Sequence, residues 1–451
     1  MTNDGLPSAQ RRGMVAAALA ALALALPACG GDDGEEPRQG GGVVEITCAA
    51  CQESPTDPFL QYNHDLVERF NTEHEGRYRV KVVQNQYAGS NPDRAQYYQR
   101  LALADDLPDL FQLTQTELRS LVQTGKVMDF TEALDQDPEW RDSFFEAAFD
   151  SLRGDDGQTW AIPEQRDAIG IYYNERLLAD AGVDAFPATW DELDAACAKV
   201  KQTGKACLAM DGDWTTLLMW ANLIGTDPDG AGFLAEGVAE GDYAEDPVVV
   251  RATETLKRWH TDGFTNSDAF SGDYQDAASA YLSGDAAMIA NGPWMVSTDI
   301  KGKDARKGLY EQTGYSASPG YGADQRGVII VAGEGGWVSG AQDEREQEAV
   351  TAFMKFLTSR EESLEKTAKT GAYPPVELDL TAGERKSLEP LAGNLVTEAA
   401  ELPHTYPHVY FNAPSGFPRA WKNLWPAYVK GELDTQEFLS RLGSDATSPT
   451  G

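Results

Sequence analysis

Between Val43 and Thr114 the chain changes hydrophobic period four times, and that alternation restricts the fold more than any other feature. Val43–Thr47 is a short β-rich run. Phe59, Tyr62, Leu66, Val67 and Phe70 then recur at helical spacing, the mark of an amphipathic helix. Tyr78, Val80 and Val82 alternate with charged residues, which predicts a second strand. A further helix is expected from about Arg94 to Ala104, and Leu107–Thr114 reads as a third, buried strand. Strand, helix, strand, helix, strand is the order of a parallel, doubly wound sheet. Ligands of such sheets sit outside the carboxyl ends of the strands. That rule picks out Glu53 after the first strand, Tyr87 after the second, and Thr114 with Gln115 after the third. For each, an ordinary polar loop residue is the competing reading.

At 451 residues the chain exceeds one ordinary core, so two lobes are expected. Its apolar fraction of 41% is that of a globular protein rather than a disordered one. Acidic residues outnumber basic ones by 72 to 37, a formal charge of −35. Nucleic acid and an anionic membrane surface would repel such a chain, whereas a neutral or cationic ligand would not. Plain surface solubility accounts for the charge equally well. Arg11 and Arg12 precede an Ala/Leu run that ends at Leu26, a basic start and apolar stretch that read as a signal peptide over 1–28. The paired arginines also fit a twin-arginine route. Residues 29–42 read as a flexible tether, since Gly30 to Gly42 has no apolar side chain with which to form a core. Export places the remaining cysteines in an oxidising compartment, where Cys48 with Cys51 and Cys197 with Cys207 are close enough to pair. A redox or zinc role for Cys48 and Cys51 lacks a second Cys-x-x-Cys.

Further along, Gly284–Trp294 is an apolar run closed by an amide, two turn-formers and an aromatic, which suits a buried strand delivering Asn291 and Trp294 to a lobe edge. It is one of a series: Leu107–Leu110, Gly157–Pro163, Gly170–Asn174, Pro187–Leu193, Gly333–Trp337 after the apolar strand Val328–Val331, and Gly371–Pro374. Within Pro187–Leu193, Thr189 and Glu192 form a capping box, and Leu193, Ala196, Cys197 and Val200 continue as the apolar face with Trp190 packing beside them. Ala349, Val350, Phe353, Phe356 and Leu357 mark another amphipathic helix. In this order, over about residues 43–440, the segments resemble the extracellular solute-binding proteins of ABC importers, in particular the carbohydrate-binding family that includes maltose-binding protein. The resemblance implies an α/β, two-lobed periplasmic-binding-protein-like fold (type II), each lobe a doubly wound sheet flanked by helices, with the ligand cleft at the hinge. It also implies discontinuous lobes, 43–163 with 288–325 and 166–285 with 328–440, crossing near Pro163, Asn291 and Arg326, and a disordered tail over 441–451. Leu26–Cys29 resembles the bacterial lipobox, which implies that Cys29 is diacylated and anchors the exported chain to the outer face of the cell membrane.

Catalytic signatures are missing from the sequence. There is no Gly-x-Ser-x-Gly elbow, P-loop, dinucleotide fingerprint or His-Glu-x-x-His. His404 and His408 are four apart, but Pro407 breaks the helix a metal pair would need, and no metal site is expected. Asp211–Asp213 and Asp227–Gly230 read as turns rather than calcium loops. What the chain does supply is tryptophan beside Gly, Asp or Asn: Trp214, Trp294 and Trp337. An indole stacks on the C–H face of a sugar while Asp, Glu, Asn and Gln bond its hydroxyl rim. Trp337 is the foremost candidate platform, with Gly335 and Gly336 admitting close backbone approach. Trp294, Trp214, Asn291, Gln165 and Asp167 complete the candidate site, with Arg166 also at the hinge, although Arg166 and Asp167 paired to stabilise the hinge would account for those two equally well.

The expectation is a cofactor-free, non-enzymatic, monomeric receptor that passes a sugar or oligosaccharide to the permease subunits of an ABC importer, touches the membrane only through its lipid and binds no nucleic acid. A polyamine or peptide receptor of the same fold would show unpaired carboxylates around an aromatic box. An exported glycan hydrolase would need two cleft carboxylates about 5–10 Å apart. A lipoprotein with a structural or signalling role is the remaining alternative.

Overall fold

The structure, a computed structural model, describes residues 42–448 apart from 86–93, 150–151, 155–156, 333–334, 389–390, 392–403 and 415. The signal segment, Cys29, most of the tether and Tyr87 therefore lie outside the described residues. The strands are β1 (Val44–Cys48), β2 (Tyr78–Val82), β3 (Phe111–Thr114), β4 (Ile162–Pro163), β5 (Arg166–Asn174), β6 (Ala206–Ala209), β7 (Ala286–Asn291), β8 (Thr313–Ser316), β9 (Gly327–Ala332), β10 (Gly335–Val338) and β11 (His404–Tyr406).

Local chemistry sets the first elements where the periodicity places them. The helix Pro58–Glu73 opens on Asp57, whose carboxylate accepts the N–H groups of Phe59 at 2.9 Å and Leu60 at 3.1 Å, with proline at the first helical position. Its buried face is Tyr62, Leu66, Val67 and Phe70, packed with Ile46, Val80 and Phe353. The helix Trp190–Gln202 likewise starts at Thr189, whose hydroxyl accepts the Glu192 N–H at 3.2 Å. Trp190 is buried and its indole donates to Thr226 at 2.9 Å, a packing role as expected.

Two sheets result. In the first, β1 and β2 are parallel, Ala49 N–H to Leu110 O at 2.8 Å ties β1 to the start of β3, and β10 runs antiparallel to both β3 and β4. In the second, the order is β11-β9-β5-β7-β6, with β8 also on β5. There β6 is parallel to β7 and β9 to β11, while β5 opposes β7, β8 and β9. Each sheet is thus mixed rather than purely parallel. The odd strand is the one by which the chain arrives from the other sheet. β5 starts just after β4 ends, and β10 starts just after β9 ends. Both crossings therefore run from the carboxyl edge of one sheet to the carboxyl edge of the other.

The cores correct the expected division of the chain. Met288 and Ala290 of β7 pack with Ile169 and Leu208, and Met295, Ile300 and Tyr315 pack with Tyr172 and Tyr281. The stretch 288–325 therefore belongs with the second sheet, because β7 and β8 both pair with β5. Conversely Trp337, Val350, Phe353 and Val376 pack with Ile46, Leu66 and Ile162 of the first. The chain crosses near Pro163 and again between Ala332 and Gly335, rather than at Asn291 or Arg326, and has re-entered the second core by Leu391. The expected tail is also partly structured: the helix Thr435–Thr447 buries Leu442 and Ala446. Both cysteine pairs are joined, Cys48–Cys51 with Cα atoms 5.7 Å apart and Cys197–Cys207 at 5.0 Å.

Gly225, in the helix Trp214–Gly225, is where β11 meets that helix: a Cβ there would lie 2.2 Å from the Tyr406 ring. Gly225→Ala is expected to cost about 1–3 kcal/mol through overpacking, read as a lower midpoint in thermal or urea unfolding. An unchanged midpoint would mean that the contact yields freely.

Candidate ligand-binding site

Since β6, β7, β9 and β11 run the same way, the segments leaving β6, β7 and β11 emerge at one edge of the second sheet, the edge from which the chain crosses. Each delivers an aromatic ring. After β6 comes Trp214, the first residue of its helix; after β7 comes Trp294; after β11 come His408 and Tyr410. The Trp214 ring lies 6.2 Å from Trp294, 6.0 Å from Tyr410 in a near-parallel stack, and 4.8 Å from His408. Trp214, Trp294 and Tyr410 are half-buried, so each keeps some surface for a ligand. Gly292 permits the arrangement: a Cβ there would sit 2.1 Å from the Trp294 ring. His408 is wholly buried, and burial pushes its imidazole down to about 3, so it stays neutral with Nδ1 accepting the Tyr410 N–H at 3.2 Å.

The carboxylates nearby are engaged within the protein. Asp211 is buried, and its Oδ1 accepts the N–H groups of Asp213 at 2.8 Å and Thr215 at 3.1 Å, the turn chemistry expected of Asp211–Asp213. Burial, reinforced by the charge of Asp213, raises its carboxyl to about 6 despite those bonds. Asp213 accepts from the Tyr410 hydroxyl and pairs with Lys422 at 2.7 Å. Asp299, raised by burial, accepts from Tyr274 at 3.2 Å and Thr298 at 2.8 Å.

Most of the other predicted residues are turned inward or bonded within the protein. Trp337 is wholly buried and meets Phe353 edge-on at 5.8 Å, so it is a core residue and not a platform. Its glycines serve strand packing: a Cβ on Gly335 would lie 2.9 Å from Leu113 O, and one on Gly336 2.9 Å from the Ala161 side chain. Asn291 is also fully buried, its amide donating to Tyr274 at 2.9 Å and its carbonyl accepting the Gly292 N–H at 2.9 Å. It shapes the turn that presents Trp294 rather than facing a ligand. Thr114 gives its N–H and hydroxyl to Glu117 at 2.8 and 2.9 Å, and Gln115 is buried. Gln165 donates to buried Asp167 at 2.5 Å. Arg166 does not pair with Asp167; its guanidinium lies over Phe145 at 4.1 Å, and burial lowers its pKa. Glu53 is exposed in the loop after β1. The sequence reading missed Tyr410, Tyr274 and Lys422, which no motif marks; the only pointer was His408, read there as a failed metal ligand. Among the described residues no cluster of three metal-ligating side chains occurs.

Two α/β lobes joined through their carboxyl edges, with half-exposed aromatics on one of those edges, make the architecture of a solute-binding protein. Residues 65–390 match the family described as bacterial extracellular solute-binding protein, and the chain belongs to that family. The diacetylchitobiose binding protein DasA of Streptomyces coelicolor is 23% identical over 78% of each chain. The sn-glycerol-3-phosphate-binding periplasmic protein UgpB of Rhizobium meliloti is 26% identical over 51% of this chain, and the match spans only 53% of that relative. The fold is similar to that of a probable secreted solute-binding lipoprotein from Streptomyces coelicolor, at a TM-score of 0.71 and 21% identity over 91% of this chain and 100% of the other. A chitin oligosaccharide binding protein is similar at a TM-score of 0.67 and 21% identity, covering 90% and 98%.

Two outcomes follow from the geometry. Trp337→Ala should lower stability by about 3–5 kcal/mol, the cost of emptying a core site, and Trp294→Ala, whose ring is only half-buried against the cores, should cost less; the reverse ranking in thermal unfolding would return Trp337 to the surface. For Asp211, the folded carboxyl keeps its proton up to about pH 6 against 3.8 for the ordinary value, so its favourable share is complete below pH 4 and lost as pH rises through 6. Asp211→Asn keeps an acceptor for the two N–H groups and removes the ionisation. It should melt higher than the parent at pH 7 by an amount on the order of 1–3 kcal/mol, an advantage that vanishes by about pH 4. A pH-independent difference would sink the assignment.

Proposed function

We propose that this chain is a lipid-anchored extracellular receptor that captures an uncharged sugar or oligosaccharide between its lobes and delivers it to the permease of an ABC importer. The observation that carries this reading is the aromatic wall Trp294–Trp214–Tyr410. Successive ring spacings of 6.2 and 6.0 Å are too close for a sandwich around a sugar, so the three rings act as one contiguous aromatic cluster whose half-exposed surface a ligand would rest on. Its charge supports a neutral ligand. A polyamine would call for unpaired carboxylates, yet Asp213 is matched by Lys422 and Asp211 by backbone N–H groups. A phosphate ester, the ligand named for UgpB, would call for a free cation, and Lys422 at the wall is bonded to Asp213. The names of DasA and of the chitin oligosaccharide binding protein point the same way as the wall.

Capture works by hinge closure. A ligand resting on the wall and touching the first lobe across the cleft favours the closed state by the contacts it makes only there. The crossovers absorb the movement; in the first of them Glu164 is held by Gln112 at 2.7 Å and, through its carbonyl, by Lys366 at 3.0 Å. The role requires binding and release, not turnover. Cys29, by its resemblance to a lipobox, supplies the anchor.

Thermal shift of residues 43–451 with diacetylchitobiose, maltose, raffinose, sn-glycerol 3-phosphate and spermidine tests the reading. A ligand at a hundred times its dissociation constant adds about 2.7 kcal/mol, and a rise with one saccharide series is expected. A rise with glycerol phosphate or spermidine alone would overturn the neutral ligand, and consumption of the saccharide would overturn the receptor.

A further inference from the structure

The helix Trp214–Gly225 divides two tasks that one residue usually performs. Asp213 stands at its N-cap but makes no side-chain bond to the first turn. That bond comes from Asp211, two residues upstream, through the Thr215 N–H at 3.1 Å. Asp213 is thereby left to bond elsewhere. Its Oδ1 accepts the Tyr410 hydroxyl and its Oδ2 pairs with Lys422 at 2.7 Å, both on the C-terminal stretch of the chain. The Tyr410 backbone is fixed independently: the adjoining Asn412 amide donates to Leu234 O at 2.9 Å, and His408 accepts the Tyr410 N–H. Among the described residues the Tyr410 ring meets those of Trp214, His408 and Phe417, and its hydroxyl is held by Asp213.

We infer that Asp213 is the positioning residue of the aromatic wall: relieved of capping by Asp211, its carboxylate fixes Tyr410 in its stack on Trp214 and so sets the surface that a ligand meets. The inference rests on the wall being the ligand surface, as proposed above. The surrounding charges keep the bond in its donor–acceptor sense. Burial, followed by the Asp213 charge, raises the Tyr410 phenol far above its ordinary value, and the bond to Asp213 raises Lys422. Asp211 on the same loop adds to the rise of Tyr410, and neutral His408 lies 4.8 Å from the Trp214 ring and 5.0 Å from the Tyr410 ring.

The test is a cycle of Asp213→Ala, Tyr410→Phe and the double variant in residues 43–451, one compact unit, with Asp213→Asn as the conservative replacement. Near-UV circular dichroism of the unliganded protein reports the Trp214–Tyr410 coupling, and calorimetry with diacetylchitobiose as probe reports binding. Asp213→Ala should change the near-UV spectrum of the parent and change it little further in the Tyr410→Phe background. Each should weaken probe binding roughly tenfold, with the double variant no weaker than either single one. Asp213→Asn, which keeps an acceptor for the phenol, should recover most of both signals. Additive losses in the double variant, or an unchanged near-UV spectrum in Asp213→Ala, would overturn the inference. Should the parent not bind the probe, the carbohydrate reading is what weakens, and the unliganded spectra still decide the role of Asp213.

Discussion

A strand that enters a sheet through the edge at which its neighbours end has to run against them, and β5 and β10 both do so. This constraint organises the molecule. It makes each sheet mixed, and it fixes the same edge of each as the side facing the other lobe. Every connection leaving a strand at that edge, after β1, β3, β6, β7 or β11, then opens toward the region between the lobes. No side chain has to be specially placed for the site to lie there; the order of strands suffices, and the loops supply the chemistry.

The loops of the second lobe supply it with polar groups already satisfied. Asn291, Asp211, Asp213 and Asp299 are the residues one would pick for ligand contacts, and all four have partners inside the protein. Their task is to hold rings. Asn291 fixes the turn before Trp294, Asp211 fixes the helix end that carries Trp214, and Asp213 reaches Tyr410. Buried polar groups fully bonded in this way make a rigid frame, whereas an unbonded one would carry a desolvation penalty of about 1–3 kcal/mol. Rigid rings also lose little freedom when a ligand settles on them, so less of the contact energy is offset by ordering the site.

Much of the frame was legible because it follows from local rules. The helices at Pro58 and Trp190, the strands β1 to β3 and the cysteine pairs were all visible in periodicity, capping and spacing. The interleaving was not. Sequence shows that Met288 lies in an apolar run and that Trp337 follows one, but which sheet a strand joins depends on pairing across more than a hundred residues, as between β5 and β7. The same limit hid Tyr410 and Lys422, which reach Asp213 from about two hundred residues away and belong to no motif.

Trp294 and Trp337 show where the tryptophan argument divides. Both have a glycine within the two residues before them, and composition alone treats them alike. Trp294 comes after its strand has ended, past Gly292 and Pro293, where the ring can turn back over the turn at the sheet edge. Trp337 is the third residue of β10, where side chains alternate between faces and its register against Gln112 and Ile162 directs it into the core. The glycines differ in the same way. Gly292 makes room for the ring of Trp294, whereas Gly335 and Gly336 make room for the neighbouring strands, whose backbone would meet an added Cβ at 2.9 Å. A glycine before an aromatic therefore signals exposure only when the strand has already stopped, and the position of that stop, more than the residue types, separates the wall from the core.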